Sequence, residues 1–150
     1  MRLLSFFPVL LMMCIIWSFS ARDAEGSSQM SGSTGAMVVH AANRMFRVEM
    51  TESEVSALAE HLQPVVRKTA HVTEYFLLAL AATLPLFAYG KTSGRFFLLA
   101  GILCILYAAS DELHQAFVPG RSAEIRDVLI DSFGVAAGIL PARLHRRPPA

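Results

Sequence analysis

The sequence has no H-E-x-x-H pair, no phosphate-binding glycine loop and no known nucleophile motif. It therefore carries none of the short signatures of a zinc protease, a P-loop enzyme or a covalent hydrolase. Cysteine is scarce. Cys14 and Cys104 each sit inside an apolar run without C-x-x-C spacing, which leaves no readable disulfide framework and reads both as small apolar fillers. Charge is scarce as well, at 17% of residues against 54% hydrophobic, with a net charge of +1. Without a basic face there is no reason to expect nucleic-acid binding. No internal repeat is present, and 150 residues are enough for one compact domain. Acids are missing from both ends. All twelve lie between Asp23 and Asp131, while Arg2 sits at one end and Arg143, Arg146 and Arg147 at the other.

What the chain has in abundance is apolar runs. A hydrocarbon core of about 30 Å needs about 20 apolar residues in a helix, and four segments approach that length: Leu3 to Phe19, Ala70 to Gly90, Gly94 to Ser110 and Asp127 to Leu144. The expected fold class is all-α, a polytopic membrane helical bundle of about four transmembrane helices. The expected divisions are a first transmembrane helix over residues 1–19, a linker with amphipathic helical segments over 20–69, a three-helix core over 70–144 and a basic tail over 145–150. Residues 1–19 also resemble a signal peptide; the long uncharged run and Trp17, suited to an interfacial anchor, favour a retained helix.

Within residues 20–69, Gly26 to Ser33 reads by composition as a flexible linker. Val38, Val39, Ala42, Met45 and Phe46 suggest an amphipathic helix. Thr51 and Glu54 form a capping box ahead of a second one, which Pro64 is expected to limit. Lys91-Thr92-Ser93 makes a tight helical hairpin. Gly134 and Gly138 form a G-x-x-x-G face for close helix packing, with Gly101 as the expected counterpart.

Four spans place both termini on one side. That side carries Arg2, Lys91, Arg95, Arg143, Arg146 and Arg147 and no acid, which favours a multi-pass plasma-membrane protein with cytoplasmic termini. The other face collects the polar residues. The second span begins with Lys68, His71, Glu74 and Tyr75. The third ends with Asp111, Glu112, His114 and Gln115, and the fourth begins with Asp127 and Asp131. Arg121 lies in the connecting loop, after the sharp turn set by Pro119-Gly120. His71 shares a helix face with Glu74, Asp111 with His114 and Gln115, and Asp127 with Asp131. Ionisable groups at this depth are costly and usually functional.

These residues resemble the VanZ-like family of small membrane proteins. The matching stretches are Arg67-Lys68-Thr69-Ala70-His71-Val72-Thr73-Glu74-Tyr75, then Tyr107 through Arg121 with its D-E-x-x-Q and F-V-P-x-R patterns, then Asp127 through Gly134 and Gly138. The resemblance covers roughly the second half of the chain well and the first span more loosely. It implies an integral membrane protein of four or five helices, in a family named for a protein associated with teicoplanin resistance and without a firmly assigned reaction. The family's polar positions fall on Lys68, His71, Glu74, Tyr75, Asp111, Glu112, Gln115, Arg121 and Asp127. Asp131 departs from the family pattern, where asparagine is common.

Three roles are open for this cluster. It can hold the helices together by pairs such as Asp111 with Arg121 or Glu74 with Lys68. It can bind a headgroup, with a membrane lipid, a lipid-linked cell-wall precursor or a glycopeptide as partner and Arg121 as the anion fork. Or it can run acid–base or metal chemistry. No cofactor is expected from a motif, and His71, Glu74, Asp111 and His114 are the candidates for a divalent cation.

Overall fold

The computed structural model describes residues 2–144; the expected basic tail over 145–150, with Arg146 and Arg147, lies outside the described residues. A 3-10 turn over Arg2–Phe6 leads into α1 (Phe7–Ser20). Four more helices follow: α2 (Ala24–Phe46), α3 (Glu52–Ala88), α4 (Gly94–Gln115) and α5 (Ile125–Leu144). No strand occurs among the described residues.

Three of these helical stretches are long and apolar enough to cross a membrane: Arg2–Ser20, Glu52–Ala88 and Gly94–Gln115. The fourth expected span, now α5, falls short. Every 18-residue stretch of it holds Asp127, Asp131 and at least one arginine. Its polarity is one-sided, however. Asp131 is buried, while Leu129, Phe133 and Leu140 face outward. The apolar outer surface continues over Leu10, Leu11, Leu98, Leu103 and Leu106, as a lipid-facing bundle requires.

The organising element is α3. Its 37 residues make a rod about 55 Å long at 1.5 Å per residue, longer than a hydrocarbon core of about 30 Å. The apolar second half packs with α1, α4 and α5 around Ile16, Tyr75, Leu78, Ala79, Cys104, Ala108 and Val135. The first half pairs with α2 in a hairpin that continues beyond the polar face of the bundle.

That hairpin corrects two expectations. Gly26 to Ser33 is not a linker but lies within α2, and α3 continues through Pro64 rather than ending there. The buried residues of α2 are Ser27, Ser31, Gly35 and Val39. Their spacing of four places them in one stripe. Small side chains let the two backbones approach closely. A Cβ on Gly35 would lie 3.2 Å from the Ala59 carbonyl oxygen. Ser31 satisfies its own hydroxyl by donating to the Ser27 carbonyl at 2.9 Å. The residue types that suggest a flexible linker therefore serve as a packing face. Asp23 caps the start of α2 by accepting from the Gly26 amide at 2.8 Å. The expected capping box of α3 is present: the Thr51 amide donates to Glu54 Oε2 at 2.8 Å and the Glu54 amide to Thr51 Oγ1 at 3.4 Å.

The Gly134–Gly138 face packs on α3 rather than on Gly101. A Cβ on Gly134 would fall well inside contact with the Val72 carbonyl oxygen, and one on Gly138 would lie 2.5 Å from the Phe76 carbonyl oxygen and 2.9 Å from the Ala79 Cβ. Gly101 does face α5, but at an ordinary 3.8 Å from Ile139. Both ends of the described chain lie at the same end of the bundle. Arg2 sits over the Tyr89 ring at 5.8 Å, and the Arg143 guanidinium lies beside Gly94 at the start of α4.

Two measurements test this packing. Gly138→Leu forces α5 off α3 and is expected to cost at least the 1–3 kcal/mol typical of overpacking, lowering the melting temperature in detergent, whereas Gly101→Ala leaves it nearly unchanged. At the far end of the hairpin, hydrogen bonds from Thr51 hold the exposed Glu54 carboxyl below its usual value of 4.5. The capping box is then complete above that pH and is lost as pH falls through the lowered value. An NMR titration of Glu54 is expected to show that midpoint, with fraying at Thr51–Glu54 following it.

Candidate functional site

The sequence-predicted polar residues converge where α3, α4, α5 and the loop over residues 116–124 meet under the base of the α2–α3 hairpin. Close packing of α5 on α3 puts Asp127 beside Lys68, whose Nζ donates to Asp127 Oδ1 at 2.5 Å. Neither Glu74 with Lys68 nor Asp111 with Arg121 forms the expected pair. Instead Glu74 Oε2 lies 3.9 Å from His71 Nδ1, on the shared helix face. Arg121 reaches Asp111 only through an amide: its Nη1 donates to Gln115 Oε1 at 2.7 Å, and Gln115 Nε2 donates to Asp111 Oδ2 at 3.2 Å. The helix must continue to Gln115 for this relay to form, and α4 does.

The loop is fixed at three points. Glu112, buried on α4, accepts from the Glu124 amide at 2.6 Å. The Ala24 amide donates to the Pro119 carbonyl at 3.2 Å. Gly120 has φ +74°, a left-handed backbone that favours glycine, and a Cβ there would lie 2.9 Å from the Ala24 Cβ. This turn, legible as Pro119-Gly120, clamps the loop on the start of α2 and aims Arg121 inward.

A deeper tier consists of Tyr75, Asp111 and Asp131, all at most 4% exposed. Tyr75 Oη, Asp111 Oδ1 and Asp131 Oδ1 are buried without a hydrogen-bond partner among the described residues. His114 is not part of this tier. It turns to α1 and stacks on Trp17, with ring centroids 4.0 Å apart and planes at 20°. Among the described residues, no three His, Cys, Asp or Glu side chains are grouped so as to hold a metal ion. Of the four cation candidates, His71 and Glu74 lie side by side on α3, while His114 turns to α1.

Above this tier lies a cavity of about 310 Å³. Its cations are Arg67, Lys68 and Arg121 and its acids are Glu124, Asp127 and Asp131, with Ser31 and Gln63 from the hairpin over it. A smaller pocket of about 100 Å³ adjoins it and shares Ser31, Arg67, His71 and Arg121, with Glu74 on its wall. Burial, and then the nearby Arg67, lower the proton affinity of the Arg121 guanidinium from its ordinary value. Lys68 and Asp127 satisfy each other, whereas among the described residues neither Arg67 nor Arg121 has a carboxylate within salt-bridge distance.

The α2 contribution and Arg67 are absent from the sequence-based site. The available signals were the four-residue spacing of Ser27, Ser31 and Gly35, and Arg67 standing one turn before His71 on the same face.

A family model described as VanZ/LLP1 matches residues 5–146, nearly the whole chain. No curated protein and no solved structure matches it.

Because the loop clamp depends on a left-handed residue, Gly120→Ala is expected to cost about 1–2 kcal/mol from the backbone alone, with the Ala24 clash adding to it. The check is a thermal melt of the purified variant together with proteolytic cleavage in the loop over 116–124, which is expected to accelerate while the spanning helices stay protected.

Proposed function

The chain belongs to the VanZ/LLP1 family, and on that premise we propose that it is a cell-envelope protein that binds the polar headgroup of a membrane-anchored component in the cavity between α2, α3 and α5. One observation carries this reading: two guanidinium groups, Arg67 and Arg121, face the same cavity without a carboxylate partner among the described residues. Uncompensated, part-buried arginines are suited to phosphate or carboxylate, which they can bind through paired N–H donors. The volume falls at the lower end of the range usual for small-ligand sites. Asp131 and Glu124 on the same walls favour a headgroup that also offers hydroxyl or ammonium donors, as lipid-linked cell-wall precursors do.

The cluster has a structural share and a binding share. Lys68 with Asp127 joins α3 to α5, and Glu112 pins the loop. Arg67, Arg121 and His71 point into the open volume. A role in lowering susceptibility to teicoplanin-type glycopeptides then follows from occupancy of this cavity by an envelope precursor, which shields or sequesters it. The reading needs no chemical step.

The test is Arg121→Ala in the full chain. Loss of a charged hydrogen-bonding partner is expected to weaken binding of a lipid-linked cell-wall precursor in micelles by about tenfold to a hundredfold, with unchanged helical content. Teicoplanin susceptibility of cells expressing the variant is expected to return to that of cells lacking the protein. Wild-type binding and wild-type susceptibility in a folded Arg121→Ala protein would remove the proposal.

A further inference from the structure

A second cavity lies at membrane depth, away from the polar cluster. It is a groove of about 670 Å³ between α1 and α4, with the Leu78, Ala82 and Pro85 side of α3 as its floor. α1 and α4 meet near the polar end. There, Tyr107 Oη donates to the Met13 carbonyl at 2.8 Å and Trp17 stacks on His114. Towards the other end the lining carries small residues, Ala82 on α3 and Ala100 on α4. The groove follows α4 from Phe96 to Ser110, about 21 Å at 1.5 Å per residue. That exceeds one leaflet, half of a hydrocarbon core of about 30 Å.

The open end carries charge of one sign. Lys91 lines the groove itself. Arg2 is held over the ring of Tyr89, a lining residue, at 5.8 Å, and Lys91 and Arg95 over the ring of Phe96, another, at 5.6 and 5.0 Å. Arg143 lies beside Gly94 at the same end. All twelve acids of the chain lie outside the segments that form this end. A narrow apolar slot opening on several cations at a membrane face is complementary to one class of molecule, a lipid with an acyl chain and an anionic headgroup.

We propose that this groove is a binding site for an anionic phospholipid, one acyl chain lying between α1 and α4 and the phosphate on Lys91 and Arg95. The site is independent of the headgroup cavity at the opposite end. It uses none of that cavity's residues, so either assignment can fail alone. The bound chain fills the space between α1 and α4 over Ala82 and Ala100.

The experiment is native mass spectrometry of the full chain released from vesicles of equal parts dioleoylphosphatidylglycerol and dioleoylphosphatidylcholine. The wild type is expected to retain one phosphatidylglycerol in preference to phosphatidylcholine. Removing cations near an anionic headgroup is expected to lower that preference roughly fivefold per charge, so Lys91→Gln with Arg95→Gln should erase most of it. Lys91→Arg with Arg95→Lys, which keeps both charges, should preserve it. Filling the groove with Ala100→Phe should abolish lipid retention. Leu103→Trp, at a lipid-exposed position on the groove wall, should do the same if Ala100→Phe fails to fold. Retention of phosphatidylglycerol at the wild-type level by a folded groove-filling variant would overturn the proposal. So would an unchanged lipid preference in the Lys91→Gln, Arg95→Gln protein.

Discussion

The close approach of α5 to α3 is the constraint on which the polar face depends. Gly134 and Gly138 place the α5 backbone against the Val72 and Phe76 carbonyls, at a separation that no larger residue permits. In a membrane, where burying apolar surface between helices gives little advantage over lipid, such contacts and interhelical hydrogen bonds hold a bundle together. The same approach determines what happens one and two turns earlier on α5. Asp131 is carried into the interior and Asp127 is brought against Lys68. The glycine pair and the charged pair are thus one device: the first sets the distance and the second fixes the register.

The polar face divides labour between residues that look alike in a sequence. Carboxylates at Asp127 and Glu112 have direct protein partners, a lysine and a backbone amide. Among the described residues, the arginines at 67 and 121 have none that carries a negative charge. Gln115 lies between Arg121 and Asp111, so the guanidinium is oriented without being neutralised. That arrangement keeps a positive centre available at a membrane surface while the acids lie deeper or to the side.

Much of this was legible in the residues. The helical class, the hairpin at Lys91-Thr92-Ser93, the capping box at Thr51 and Glu54 and the gathering of Lys68, Asp111, Arg121 and Asp127 at one face follow from hydropathy, periodicity and parity. Pairings did not follow, because a polar residue's partner is chosen by helix rotation, which composition leaves free. Thus Gln115 rather than Asp111 receives Arg121, and His114, three residues from Asp111, turns to Trp17 instead. The Ser/Gly stretch of α2 reads as a linker because small residues serve both flexible chains and close-packed helices, and only the facing residues of α3, Ala59 among them, distinguish the two. The fourth span failed as a span by composition for the same reason that it works as a site wall: its charges face inward.

The unbroken course of α3 through Pro64 joins two environments in a single lever. From Glu52 to Arg67 the helix pairs with α2, an arm of about 22 Å at 1.5 Å per residue whose base, Gln63 to Arg67, walls the cavity. From Lys68 onward it is clamped by α1, α4 and α5. No loop separates arm and clamp, and Lys68 with its partner Asp127 stands where the two meet. The hairpin and the mouth of the cavity are therefore built from the same two helices, with Ser31 of α2 and Gln63, Arg67 and Lys68 of α3 lining it together.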